Sequence, residues 1–389
     1  MCYRKRRKGS EYKRAWATEF ESFLGDEALA ATYYGGPSGS DIRVECPRRQ
    51  WDEQPLPDRP VDLEEIAKGA VPGGYIGIIY ADGNNMGALL EKLRTPDAYH
   101  QFADGVYSAV QQSVFSSLAC HVKPVQTTRR EGALWIYPFE ILSVGGDDVF
   151  LIVPGNCAAA IAADIARGVE ERLAAQPTFQ SDGLYDPEQV HRCAIGEGQQ
   201  VQMPQSKIGV SVGVVMANAH TPIFFLHDIV SQLLKSAKAY AKSLRKHGYL
   251  GGTVDFQAMK STPMITSRVA EFREATLRRG DEYLTARPYT LLEMERLLDT
   301  VRVLKAAKFP RSQLYALRRA LGAGRAASTI DYLYFTARLE NPYRDEIRKA
   351  LDQTWCLGDP APWRRRAGGW ETTLCDIIEL YDFVDEAEV

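Results

Sequence analysis

Residues 133–153, Ala-Leu-Trp-Ile-Tyr-Pro-Phe-Glu-Ile-Leu-Ser-Val-Gly-Gly-Asp-Asp-Val-Phe-Leu-Ile-Val, decide the fold. Ala133 to Val144 is rich in aromatic and branched side chains and reads as a strand. Val149 to Val153 reads as a second strand, stopped by Pro154-Gly155. Between them, Gly145-Gly146 accepts the positive φ that a tight hairpin demands. Asp147 and Asp148 then sit at the hairpin tip. Asp and Gly are the commonest turn residues, so a polar turn explains them locally. A hard divalent cation also takes carboxylate oxygens together with substrate phosphates, so the same acids read as a metal site. The two glycines would let the backbone approach a nucleotide closely.

Upstream, Tyr75 to Ala81 is a short apolar run consistent with a central buried strand. Asp82 ends it, in Ala81-Asp82-Gly83-Asn84-Asn85-Met86-Gly87. From Asp97 to about Cys120, the residues Phe102, Val106, Val110, Val114 and Leu118 recur at helical spacing. Downstream come an alanine-rich helix (Cys157 to Ala175), a polar insertion loop (Gln176 to Ser206) and a strand (Lys207 to Met216). A long helix from Ile223 to Lys246 ends near Gly248, and Gly252 to Phe256 is a last strand. The first six elements of this series match the split βαβ, ferredoxin-like plan.

In such a sheet the first strand is central and lies beside the hairpin, so Asp82 can face the hairpin tip. Asp82 and Asp147 would then hold two Mg²⁺ ions, with Asp148 assisting and the Gly83 carbonyl as a further ligand. Such a clamp neutralises a triphosphate and lowers the pKa of an attacking hydroxyl. The loop Gly83-Asn84-Asn85 would point backbone N–H groups at phosphate oxygens. An Asp N-cap explains Asp82 locally but not its pairing with the hairpin. Leu233-Leu234-Lys235-Ser236-Ala237-Lys238, continuing to Lys242, places lysines within reach of a triphosphate, although a solvated amphipathic helix reads the same.

These three features, in this order, resemble the catalytic palm shared by GGDEF nucleotidyl cyclases and the large polymerase subunit of type III CRISPR effector complexes. The CRISPR branch is the nearer, through GGDD in place of GGDEF and an Asp-Gly-Asn-Asn-Met-Gly first-strand element. The resemblance covers residues 73–257 firmly and the following helices more loosely. It implies an α+β fold, a ferredoxin-like palm with a C-terminal all-α domain. It further implies ATP as substrate, a two-metal Mg²⁺ or Mn²⁺ site, and cyclic oligoadenylate products. Asp82, Asp147 and Asp148 would be catalytic and, with Gly83, would bind metal. Gly83, Asn84, Asn85, Gly145, Gly146, Lys238 and Lys242 would bind nucleotide.

Family members usually also carry an HD nuclease domain and a second, degenerate palm, for which this sequence has no room. His227-Asp228 opens the long helix, where an acid in the first turn is ordinary. With one palm, the acceptor hydroxyl would come from a homodimer or a partner palm across the GGDD face. CRISPR effector subunits and RNA are the further partners implied. Two alternatives stay open: a GTP-using GGDEF-like cyclase, and a non-catalytic nucleotide-binding subunit of an RNA-guided complex.

The remainder of the sequence sets the frame. Its 389 residues suffice for two or three domains: an irregular lead-in over 1–70, the palm over 71–258 and a helical part over 259–389 with no convincing strand. The helices expected there run from Arg268 to Arg278, Thr290 to Lys308, Arg311 to Leu321 and Ile330 to Leu339. Cys2 followed by Arg4 to Lys8 looks like the remnant of a zinc knuckle, or a basic tail. Hydrophobic residues at 45% and charged residues at 25%, with no long apolar run and no signal-peptide pattern, point to a cytoplasmic protein away from membranes. Seven scattered cysteines without a C-x-x-C pair read as reduced thiols. Net charge is −3, so the basic clusters, including Arg129-Arg130 and Arg364 to Arg366, read as solvated surface.

Overall fold

The computed structural model describes residues 16, 19–24, 57–193, 205–260, 268–338, 343–353, 355 and 362–385. Cys2, the basic run after it and most of the 1–70 lead-in lie outside these residues.

The architecture grows outward from strand β1 (Tyr75–Gly83). Ile76, Ile78, Ile79 and Ala81 are all buried, so both faces of this strand are covered. Helices α1 (Leu63–Ala67) and α2 (Met86–Leu90) flank it in sequence. The long helix α3 (Pro96–His121) starts where Thr95 accepts the Ala98 N–H and proline takes the first helical position. Strands β2 (Val125–Arg129), β3 (Gly132–Ile136), β4 (Glu140–Gly145) and β5 (Asp148–Pro154) follow, then α4 (Ala158–Ala174). The insertion holds β6 (Gln180–Ser181), α5 (Pro187–Val190) and β7 (Gln205–Ser206). Strand β8 (Val210–Asn218), helix α6 (Ile223–Leu244) and strand β9 (Thr253–Ala258) complete the region.

The main sheet runs β9-β8-β1-β5-β4, the ferredoxin-like order with one strand added beyond β8. β1 is antiparallel to both neighbours, and β9 is parallel to β8. Alternation along the strands separates two cores. Ile79, Ala81, Val149, Leu151 and Val153 face α3 and α4. Ile76, Ile78, Ile152 and Val215 face α6 through Leu226, Ile229, Val230 and Leu233. The Thr253 hydroxyl donates to the Ala237 carbonyl at 2.7 Å and ties α6 to β9.

Three sequence expectations need correction. Residues 133–144 are two strands, because Pro138 lacks a ladder donor and the Tyr137 N–H bonds to the Asp58 carbonyl instead. β3 accordingly pairs with β2 in a separate ribbon. The strand expected from Lys207 begins at Val210, because the Lys207 N–H and ammonium are bound to the Phe179 and Thr178 carbonyls. The tail also contains strands: β10 (Arg278–Arg279), β11 (Glu282–Tyr283), β12 (Tyr289–Thr290), β13 (Arg364–Arg366) and β14 (Gly369–Glu371). At two or three residues each, they are too short to show a period. β12 extends the main sheet beyond β9, and the others form a small sheet in the order β10-β11-β14-β13.

The tail helices are α7 (Val269–Thr276), α8 (Leu291–Ala306), α9 (Arg311–Gly322), α10 (Arg325–Ala337), α11 (Tyr343–Arg348) and α12 (Leu374–Leu380). α8 places Met294, Leu297, Leu298 and Val301 in the same apolar cluster as α4. The buried Arg287 guanidinium lies 3.1 Å from Asp376 and 3.0 Å from Glu379, and donates to the Phe256 carbonyl of β9 at 2.8 Å. No helix among the described residues is long and apolar enough to cross a membrane.

Glu170 on α4 ties the sheet ends together by accepting the Val210 and Gly252 N–H groups at 2.9 and 2.7 Å. Burial pushes its carboxyl up to about 7, against the pull of those two bonds. A raised folded pKa means that the folded state keeps a proton the unfolded chain has released. The Glu170 contribution to stability should therefore decline between about pH 4.5 and 7, by roughly 1–3 kcal/mol. Glu170→Gln keeps an oxygen acceptor for both N–H groups, and its urea-unfolding midpoint should lack that decline.

Candidate active site

The site forms where the end of β1 meets the β4–β5 turn. Register pairs Ala81 with Val149, so the next residues along, Asp82 and Asp148, stand at the same sheet edge. Gly145 and Asp148 close the hairpin, and Gly146 has φ +66° while Asp147 does not have positive φ. That is the type II′ pattern, whose twist suits flanking strands. The turn folds Asp147 onto β1: a Cβ added to Gly83 would lie 2.9 Å from Asp147 Cβ and 3.0 Å from its Oδ2. Asp82, Gly83, Asp147 and Asp148 are therefore brought together.

The electrostatics record that convergence. Burial raises the Asp147 carboxyl pKa, helped by the charges of Asp82 and Asp148 and a hydrogen bond with Asp82. Asp148 is raised by desolvation and then by Asp82, while the Lys238 ammonium pulls it down. The Tyr80 phenol is raised by burial and then by Asp148 and Asp82, so its ring stands beside the acids. Tyr80 also packs edge-on against Phe150 at 5.3 Å on the neighbouring strand.

Other expected residues divide. Lys238 reaches the site from α6, but there it pairs with the Asp82 carboxylate and lies 3.4 Å from the Gly83 carbonyl oxygen. It thus holds two oxygens that the sequence assigns to a metal. Lys242 is exposed one turn further on and has no ion pair with the acids among the described residues. Asn84 is a correction. Its side chain is buried and exchanges hydrogen bonds with Ser211 at 2.9 and 3.1 Å, and its N–H donates to the Gly209 carbonyl at 2.7 Å. Neither is free for a phosphate, because the loop is stitched to β8. Asn85 takes the left-handed conformation at φ 70° and accepts from Arg245 Nη1 at 3.3 Å. Arg245 is a cation that the sequence reading missed. Its spacing of seven residues from Lys238, two helical turns, is the signal that would have found it. Gly146 has open space above it and Gly145 nearly so, leaving the hairpin backbone accessible.

The donor set fits a hard divalent cation. Three carboxylates face one ammonium, an anionic surplus held partly away from water. Among the described residues no group of three or more His, Cys, Asp or Glu is gathered into a metal cage. Mg²⁺ sites that act on nucleotides need no such cage, because one or two carboxylates are completed by phosphate and water.

Three substitutions test this geometry. Asp147→Asn or Asp148→Asn removes repulsion and should raise the melting temperature by about 1–3 °C, a gain kept small by solvent screening. The same variants should lose Mn²⁺ binding in calorimetry. Gly83→Ala should displace Asp147 and weaken Mn²⁺ binding at least about tenfold, with little change in far-UV circular dichroism.

Residues 75–245 match the family model for the second palm domain of Cas10/Cmr2. No curated protein matches the chain. Among solved structures, Csm1 from T.onnurineus is similar at 14% identity over 82% of this chain and 40% of the other, with a TM-score of 0.45. A Csm1–Csm4 cassette in complex with cA4 matches at 14% identity over 82% and 38%, with a TM-score of 0.44. A Csm1–Csm4 cassette in complex with AMPPNP matches at 14% identity over 82% and 38%, with a TM-score of 0.43. The chain thus spans about two fifths of the length of these solved relatives. With GGDD at its hairpin tip and the family match laid over β1 to α6, residues 75–245 are a palm domain similar to the second palm of Cas10/Cmr2.

Proposed function

We propose that the chain is a cytoplasmic, metal-dependent nucleotidyltransferase that makes cyclic oligo- or dinucleotide messengers from ATP in CRISPR-type antiviral defence. One observation carries the reading: Asp82, Asp147 and Asp148 meet at a sheet edge with the Asp147 and Asp148 pKa values raised and, among the described residues, Lys238 to offset them. A structural hairpin turn gains nothing from that crowding. A cation-binding site requires it.

In this reading Asp82, Asp147, the Gly83 carbonyl and, in support, Asp148 hold two Mg²⁺ or Mn²⁺ ions. When bound, the ions neutralise the triphosphate and acidify the attacking hydroxyl. The chain's own groups do the rest. Lys238, paired with Asp82 in the structure, would be free to contact phosphates where a divalent cation occupied Asp82. Arg245, beside Asn85 just past the end of α6, adds a second positive charge. Gly145 and Gly146 present bare backbone to the nucleotide. One palm holds one nucleotide, so the acceptor hydroxyl comes from a second palm across the GGDD face, in a homodimer or a partner chain. Other CRISPR effector subunits and RNA would complete the assembly.

The test incubates the purified chain with each labelled nucleoside triphosphate and Mg²⁺ or Mn²⁺, with and without RNA, beside Asp147→Ala, Asp148→Ala. Oligomeric product from ATP, lost in the double variant and falling more steeply than linearly on dilution, is the expected result. Product from GTP alone would make the chain a GGDEF-like cyclase. Nucleotide binding without any product would make it a non-catalytic subunit, the reading favoured if Lys238 never releases Asp82.

A further inference from the structure

Away from the palm acids, the small sheet carries cations that the proposed chemistry does not use. Cross-strand register places Arg279, Glu282, Trp370 and Arg365 in one row on one face. Arg325, from the start of α10, stacks over the same ring, its Cζ 4.2 Å from the Trp370 centroid, with Arg365 Cζ at 5.3 Å. On the other face Arg366 and Arg278 lie 4.0 and 5.1 Å from the Tyr283 ring.

The pairing of the arginines in the Arg279–Arg365 row and of Arg325 differs from that of three other arginines that lie over rings. Arg59, Arg192 and Arg287 also lie over rings, and each is ion-paired with a carboxylate: Glu140, Glu293 and Glu379 respectively. Arg279, Arg325 and Arg365 have no carboxylate ion pair among the described residues. The acid in their row, Glu282, accepts the Arg325 backbone N–H at 3.0 Å and is engaged at the start of α10. Arg279 donates to the Gly322 carbonyl at 2.8 Å, which fixes its side chain while leaving it exposed. Arg365 is exposed and Trp370 half-buried. A guanidinium over a ring is held in place, and its planar fork of N–H donors can bind phosphate through two bonds.

We propose that this face binds a single-stranded polynucleotide through its phosphates, with bases continuing the guanidinium stacks. Three strand spacings of about 4.8 Å carry the row across about 14 Å. That exceeds one phosphate and falls well short of the about 34 Å turn of a duplex. A cationic row with interleaved rings suits a few nucleotides of a flexible strand, whose bases have free faces to stack. The site is separate from the palm acids and does not depend on the proposed catalysis.

The test uses fluorescence anisotropy of labelled 12-nucleotide oligouridylate and oligodeoxythymidylate with the full chain in EDTA. Arg279→Ser, Arg365→Ser is compared with wild type. Binding should weaken with salt, and the double variant should lose about tenfold in affinity, with a salt slope shallower by about 1.4, two contacts at about 0.7 each. Both side chains are exposed, so its melting temperature should stay within about 2 °C of wild type. Asp147→Asn should bind as wild type does, and Arg365→Lys should keep the salt slope while weakening affinity through the lost stack. No binding at low salt, unchanged binding in the double variant, or equal competition by duplex or by polyglutamate would each overturn the proposal.

Discussion

The geometry of the palm rests on the antiparallel register between β1 and β5. Ile78 opposite Ile152 and Ile79 opposite Leu151 fix that register through burial on opposite faces of the sheet. Because side chains alternate, a slip of one residue would turn Asp148 and Phe150 to the other face and bury charge against α3 and α4. The apolar pairs thus hold the charged ones together. The two-residue turn leaves no slack, so Asp147 is pressed onto Gly83.

That arrangement concentrates like charge, which the fold tolerates in few places. Three buried acids elsewhere have cationic partners: Glu293 has Arg192, Asp255 has Arg273, and Asp376 has Arg287. At the palm edge the acids have Lys238 and an excess of negative charge. Acids crowded at an accessible edge with one ammonium to offset them are a feature that functional sites share.

The tail is built into the same framework. Arg287 reaches from the segment before β12 to the carbonyl of β9 and the acids of α12, and α8 shares an apolar cluster with α4. Changes in the helical part can therefore reach the sheet through packed elements.

Much of this was legible in the residues. The continuous apolar run of β1, the Gly-Gly turn and the amphipathic spacing of α3, α4 and α6 are local signals, since burial and backbone freedom act over a few residues. They determined the element order, the ferredoxin-like plan and the placing of Asp82 beside the hairpin acids. The sequence by itself did not reveal that Lys238 sits on Asp82, that Asn84 is committed to Ser211, that Arg245 joins the site, or that the tail folds short strands. Each depends on which group from a distant segment arrives first at a shared hydrogen-bonding position. Only the tertiary structure settles that competition, because it is decided by packing across the sheet and leaves no periodic trace along the chain.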